Sequence, residues 1–367
     1  MKTKIKAEIV AHSINEQGDE LISVLATFPR IILAEVNTHR MLSKNTSSSR
    51  AIPFKKMVEA VQNDPFIPIA WQKEHKGMQG TEYLTEQKLI DFKTGVWLRA
   101  RYEAVNRAKE LNGNLQRARS FFDTEELENT GVTKQLCNRL LEPFMWTTML
   151  ITGSKSGWEN FFHLRCPNYQ MMSSYGVQHY KSKKDFLKSV GLPDTVENYQ
   201  NWREVDWLKI NKGQAEIHMM ALAECIWDAY SESTPKQLKA GEWHIPFEDK
   251  MNFMKLGKAS AKYYNNGGKL LTPSTSAVAV SVAMAARTSY TVVGEEKEIN
   301  YEAMIGLHDR LLAQVPPHSS PLEHCAKAMN NAEYESFYKG QVGLGGESGW
   351  CNNFKGFIPY RYMVDNG

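Results

Sequence analysis
The chain opens on alternating apolar and polar positions, "KIKAEIVAHSI", and a second apolar run, "ISVLATF", follows across the polar turn "NEQGDE". Alternation with period two, interrupted by a turn, predicts the two strands of a hairpin. The period then changes. In "FPRIILAEVNTHRML", Phe28, Ile31, Ile32 and Val36 recur at helical spacing and Pro29 suits a first helical position, which predicts a helix. From the end of that helix a loop rich in hydrogen-bond donors is expected, closed by Pro53.

Further along, 88–120 reads as an amphipathic helix, and "GVTKQLCNRLLEPFMWTTMLIT" as a second helix entering a buried strand or helix. Residues 166–213 are polar, aromatic and irregular, the pattern of an insertion or lid. A helix is expected in "GQAEIHMMALAECIWDAYSES". The double glycine at 267–268 marks a boundary, after which "KLLTPSTSAVAVSVAMAARTSY" restarts a strand or helix. The glycine- and aromatic-rich end, "GLGGESGWCNNFKGFIPYRYMVDNG", reads as an ordered loop. No repeat or low-complexity tract interrupts the chain.

Composition narrows the class. With 42% hydrophobic residues over 367 positions the chain can bury a large core, as one big domain or two moderate ones. A net charge of +3 gives no broad footprint for duplex nucleic acid and leaves room for a local basic pocket. The cysteines at 137, 166, 225, 325 and 351 are scattered and odd in number, without a CxxC pair, which points to a reduced, intracellular protein. No apolar run of about 18 residues is present that would cross a bilayer. A soluble, cytoplasmic protein is expected.

Three stretches carry chemistry. "NTHRMLSKNTSSSRAIP", residues 37–53, brings His39, Arg40, Asn45 and Arg50 together with four serines and no acid between Thr38 and Arg50. A solvated serine-rich turn would explain the serines alone. Guanidinium groups grip phosphate or a pyrimidine edge in bidentate fashion, and hydroxyls and loop amides add shorter contacts, so a phosphorylated small molecule is the expected ligand. In "GWENFFHLR", Asn160 and Arg165 flank Phe161, Phe162 and Leu164, a pattern shared with any core helix that ends in a surface arginine. "PPHSSPLEHCAKAM" holds His318, Glu323 and His324, but the histidines are six apart, unlike the i, i+4 pair of a helical zinc site, so no metal is expected. GxSxG, GxGxxG and GxxxxGK[ST] are absent, and Cys166 has no evident base, which leaves covalent catalysis and the usual nucleotide loops without support.

Taken in order, these stretches resemble the flavin-dependent thymidylate synthases, whose hallmark is RHRxxSxNxxSxR. Here it reads Thr38-His39-Arg40, Ser43, Asn45, Ser48 and Arg50. "NFFHLR" is similar to the family's NFxxLR, "GQAEI" to its AQxEI, and "NRLLEP" to its ARxxLP, with Arg139 in the arginine's place. "AARTSY" at 285–290 and "HSSPLEH" at 318–324 resemble motifs that the family carries ahead of RHR. The chain therefore looks circularly permuted, like the longer thymidylate synthase-like proteins of bacteriophages and some bacteria. Three positions depart from the family: Thr38 for arginine, Thr46 for glutamate and Ala51 for a frequent tyrosine.

The resemblance implies an α+β fold with a central antiparallel sheet and long helices, one catalytic domain over 1–367, with 166–213 as insertion or lid and 268–367 as the permuted segment. It implies a homotetramer with FAD at subunit interfaces, acting in the cytoplasm, that of the host if phage-encoded. The activity implied is conversion of dUMP to dTMP, with methylenetetrahydrofolate as carbon donor and NADPH reducing the FAD. Arg165 and Ser48 are then the catalytic candidates, Arg165 facing the pyrimidine N3/O4 edge. Glu35, Ser48, Ser49, Arg50, Arg139 and Arg165 would bind dUMP, and Thr38, His39, Arg40, Asn45, Asn160, His318, Ser320 and Glu323 the flavin. Hydroxymethylation at C5 is the alternative among enzymes. A nucleotide-binding or single-strand-binding protein without catalysis is the alternative outside them, since "YQMMSSYGVQHYKSKKDF" mixes aromatics with lysines. No membrane or duplex partner is expected.

Overall fold
The computed structural model describes residues 3–77, 80, 82–113, 131–174, 176–193, 204–211, 215–265, 273–291, 298–317, 319–340 and 346–366. Its frame is a mixed sheet in the order β3-β4-β2-β1-β7. β1 (Lys6–Ile14) and β2 (Glu20–Pro29) form the expected hairpin, with Ile14 opposite Glu20. β4 (Trp146–Ser154) pairs antiparallel along the whole of β2, and β3 (Ser43–Thr46) pairs antiparallel with β4. The two-residue β7 (Lys236–Gln237) adds in parallel to β1, so the sheet is antiparallel except at that edge.

Alternation along the strands sends two sets of side chains to two helical layers. Ile22, Val24, Ala26 and Phe28 of β2, with Met149 and Ile151 of β4, meet Trp158, Phe161 and Phe162 of α5 (Lys155–Arg165) and Met219, Leu222 and Ile226 of α8 (Ile217–Glu232). On the opposite face Val10 and Leu150 meet Ala285, near the end of α10 (Pro273–Thr288). α10 in turn packs with α9 (Phe253–Asn265) and α11 (Tyr301–Leu312) around Val280, Ala283, Met304 and Ile305. Small residues on α10 let these helices approach closely.

The helix expected across Phe28 to Leu42 is mostly something else. β2 runs to Pro29, a 3-10 turn covers Arg30–Ile32, and only α1 (Leu33–Asn37) is α-helical. Phe28 is buried as a strand residue and Ile31 is 41% exposed, so the helical spacing came from two elements read as one. The stretch expected to be a loop contains β3, and the loop proper is 47–53, which Pro53 closes as the residue before α2 (Phe54–Asn63). α3 (Gln87–Leu111) matches the expected amphipathic helix as far as 111, and 114–130 lie outside the described residues. The second helix of that region is a single turn, α4 (Lys134–Cys137), followed by a 3-10 segment, Asn138–Phe144, that leads into β4.

The expected insertion carries its own small fold. β5 (Tyr169–Ser173) and β6 (Gly176–Tyr180) form a hairpin, followed by α6 (Lys183–Ser189) and α7 (Glu204–Lys209). Tyr169, Leu187 and Trp207 make its apolar centre. Among the described residues no helix is long and apolar enough to cross a membrane, and no three His, Cys, Asp or Glu side chains are grouped as metal ligands.

Candidate functional site
The site is assembled around β3 and the end of α5. Leu42 is buried against Gly153 of β4 and Gly157 of α5; a Cβ at 153 would collide with Leu42 Cδ2, and one at 157 would sit 3.3 Å from it. These two glycines let the 38–42 turn lie against the first turn of α5, beneath whose far end His39 comes to rest.

Arg165 is the last residue of α5, where a cation is favoured by the helix dipole. Its Nε donates to His39 Nε2 at 3.0 Å and its Nη2 to Thr38 Oγ1 at 3.4 Å. An arginine can only donate, so His39 Nε2 is an acceptor and the neutral ring carries its proton on Nδ1. The His39 ring is buried edge-on to Phe161 at 4.9 Å. Burial, with Arg165 and Lys44 nearby, pushes His39 down to about 4. Lys44 Nζ donates to the His39 carbonyl at 2.5 Å, and burial pushes this lysine down to about 8. The nearest carboxylate to Arg165 is Glu35, at 4.0 Å, raised by burial and by the charge of Glu216. The cluster is thus richer in cationic donors than in acids.

Neighbouring positions on β3 face opposite ways. Lys44 turns toward His39, and Asn45 turns to the α10 side, where its Nδ2 donates to the Ala285 carbonyl and its Oδ1 accepts from Ser320 Oγ at 2.8 Å and Ser289 Oγ at 3.4 Å. Just past β3, the Ser48 amide donates to the Ser289 carbonyl at 2.8 Å. Stretches some 240 to 275 positions apart are therefore hydrogen-bonded at one strand. Asn45 and Ser320, both expected to touch a cofactor, are hydrogen-bonded to each other and join β3 to the C-terminal segment. Glu323, expected beside them, is ion-paired with Arg361. His318 lies outside the described residues, as do Gly213 and Gln214 of the "GQAEI" stretch.

Beyond β3 lies a second cluster. Ser48 Oγ accepts from the Arg50 amide at 3.3 Å, and Arg50 Nε donates to Gln135 Oε1 at 3.1 Å. Asn138 Nδ2 donates to the carbonyls of Ser49 and Ile52, which brings Arg139, itself exposed, to this turn. Ser49 is buried and its hydroxyl donates to Glu142 at 2.6 Å, so it supports the turn from beneath. Arg30 meets the same Glu142 at 3.2 Å. Arg40, Arg139 and Asn160 are exposed, and their side chains have no partner among the described residues. Leu164, read as part of an apolar group, is 48% exposed.

Sequence reading missed Glu142, Glu216 and His218. Glu216 caps α8, accepting the amides of His218 at 2.9 Å and Met219 at 3.2 Å. It also meets His218 Nδ1 at 2.5 Å, while His218 Nε2 accepts the Ile69 amide at 3.0 Å. An acid just before an apolar helix is a legible cap signal; its closeness to Glu35 is not legible.

No family model matches the sequence, and no curated protein matches it. Among solved structures the chain is similar to a UMP/dUMP methylase PolB from Streptomyces cacaoi bound with 5-Br dUMP, at 11% identity and TM-score 0.37, covering 63% of this chain and 92% of that one. It is also similar to the flavin dependent thymidylate synthase ThyX from Helicobacter pylori complexed with FAD and dUMP, at 13% identity and TM-score 0.25, covering 57% of this chain and 67% of that one.

Proposed function
We propose that the chain is a flavin-dependent enzyme that modifies C5 of a pyrimidine deoxynucleoside monophosphate, converting dUMP to dTMP with methylenetetrahydrofolate as carbon donor and NADPH as reductant. The observation that carries this reading is the pairing of Arg165 with His39. Two motif stretches 126 positions apart meet in a cluster whose arginine has, among the described residues, a single carboxylate near it, at 4.0 Å. The bonds from Asn45 to Ala285 and Ser320 support the reading of a permuted chain, because they seat the "AARTSY" and "HSSPLEH" stretches against the "THR" stretch.

β3 puts roughly 10 Å between its first and last Cα atoms, so the Arg165 cluster and the Ser48–Arg50 turn lie at the two ends of a span suited to a mononucleotide. Ser48, Arg50 and Arg139 would hold the phosphate, with the exposed Arg139 supplying charge. Arg165, whose Nη1 carries no short hydrogen bond, would face the N3/O4 edge of the pyrimidine and stabilise the negative charge that makes C5 nucleophilic. His39 keeps that guanidinium in place by accepting from Nε, and stays neutral at physiological pH.

The donor set fits FAD in part. Arg40, Thr38, His39 and Asn160 offer the cationic and hydrogen-bonding groups that a diphosphate and an isoalloxazine edge require, whereas Asn45, Ser320 and Glu323 have other partners. FAD supplies the redox chemistry when bound. Exposed and without a side-chain partner among the described residues, Arg40, Arg139 and Asn160 suit ligand sites completed by another subunit of a homotetramer.

An absorbance spectrum of the purified protein, followed by anaerobic reduction with NADPH with and without dUMP, tests this. Flavin bands that bleach faster with dUMP are expected. A colourless protein that takes up no added FAD overturns the proposal.

A further inference from the structure
Away from these clusters, a cavity of about 760 Å³ opens between the start of β1, the 63–69 segment, α3 and α8. Its size falls in the range of roughly 300–1,000 Å³ typical of small-molecule sites. Ile5, Ile67, Ile69, Leu98 and Leu208 give it apolar walls, and the exposed Lys4 and Asn63 mark its open side. Two polar side chains of α8 stand on the inner wall, Glu224 and Cys225.

A carboxylate among apolar walls is costly unless it has partners. Glu224 Oε1 accepts the Lys183 amide at 2.6 Å. Burial, reinforced by Asp228 one turn along α8, raises the carboxyl to about 7 against the opposing pull of Lys183 and Tyr169. The Lys183 amide and the Tyr169 hydroxyl do not outweigh burial of the carboxylate, and a ligand that brings a cation would offset the remainder. The nucleotide clusters are rich in arginine, whereas this cavity presents Glu224 on its inner wall and Asp64, which accepts the Thr3 amide at 2.8 Å, against the single lysine Lys4, so the two select opposite ligand charges.

We propose that this cavity is a binding site for an amphipathic organic cation, an apolar ring or chain ending in one protonated amine or amidine that meets Glu224. The apolar body lies against Ile5, Ile69 and Leu98, and the head reaches the α8 wall. This inference does not depend on the nucleotide reading.

The test uses benzamidine and its neutral analogue benzamide, each titrated calorimetrically into the full chain. Of the five cysteines, Cys225 alone is not buried, so the rate of its alkylation by monobromobimane locates the binding. Benzamidine is expected to bind at least tenfold more tightly than benzamide and to slow alkylation at least fivefold at saturation. In Glu224→Gln the two probes should become equal. Leu98→Trp, which fills the cavity without touching the acid, should abolish both effects. Equal binding of the two probes by the wild-type chain, binding that leaves alkylation unchanged, or no binding of either overturns the proposal, whether or not the Glu224 variant folds.

Discussion

A single histidine and a pair of histidines lie on opposite faces of the same sheet, and their surroundings give them different work. His39 sits at the end of α5 between Arg165 and Lys44, with cations on both sides. On the α10 face a buried chain of side chains runs from Ser13 Oγ to His244 Nδ1 at 2.9 Å, from His244 Nε2 to Ser23 Oγ at 2.8 Å, on to Thr152 Oγ1 at 2.6 Å and then to His324 Nδ1 at 2.9 Å. Both groups are held neutral, His39 at about 4 and His244 and His324 at about 3, with burial the leading cause throughout. Unneutralised positive charge sets the first apart. The second meets only hydroxyls and ties β1, β2 and β4 to the C-terminal segment. Proximity of a histidine to a family motif is therefore a poor guide to its role: His324 belongs to the "HSSPLEH" stretch and is structural.

The sharpest way to break this contrast is Arg165→Ala. It should lower dTMP formation by on the order of a thousandfold, the scale of a lost transition-state donor. The fold should persist with a modest fall in thermal midpoint, because Glu35 is 4.0 Å away but the buried His39 Nε2 loses its donor. Retained turnover would remove Arg165 from the chemistry.

Thr152→Val attacks the other face. It strands His324 Nδ1 inside the protein and leaves Ser23 Oγ with His244 alone, and leaving a buried polar group unpaired costs about 1–3 kcal/mol. Chemical denaturation should show that loss while turnover per folded molecule stays within a few-fold of wild type. A large loss of turnover in well-folded protein would make the buried chain part of the mechanism.

Acid sharpens the comparison further. His244 and His324 stay neutral when folded but take up a proton near 6.5 when unfolded, so their contribution is intact above 6.5 and is lost as pH falls toward 3. Each should remove about 1.4 kcal/mol of stability per pH unit in that window. Denaturation at pH 7 and 5.5 should show a shallower acid slope for His324→Leu than for wild type. Equal slopes would mean that His324 is not held neutral.

The smallest effect is expected at the far end of β3. Arg50→Ala should weaken dUMP binding about tenfold, the worth of one charge-assisted contact, with little change in the chemical step. Unchanged affinity would separate the 48–50 turn from the phosphate.

Much of the frame was legible along the chain, because its signals are local. Alternation gave the hairpin of β1 and β2, helical periodicity gave α3 and α8, and the donor-rich and "NFFHLR" stretches named the residues that meet at Arg165. Where two elements share one apolar spacing, as across Phe28 and Ile32, the local signal misled. β3 was invisible for the opposite reason: Ser43-Lys44-Asn45-Thr46 has no apolar alternation, and only pairing with β4 makes it a strand.

Local pattern, then, marked the segments with a hydrophobic face and the stretches dense in hydrogen-bond donors. Tertiary structure alone decided that Asn45 clasps Ala285 and Ser320, that Ser49 turns inward to Glu142, that Glu224 stands in an apolar cavity, and that His324 is sealed from solvent. Each of those outcomes depends on groups distant in sequence arriving together. Hydrogen bonding and desolvation act on that arrival, and no local pattern records it.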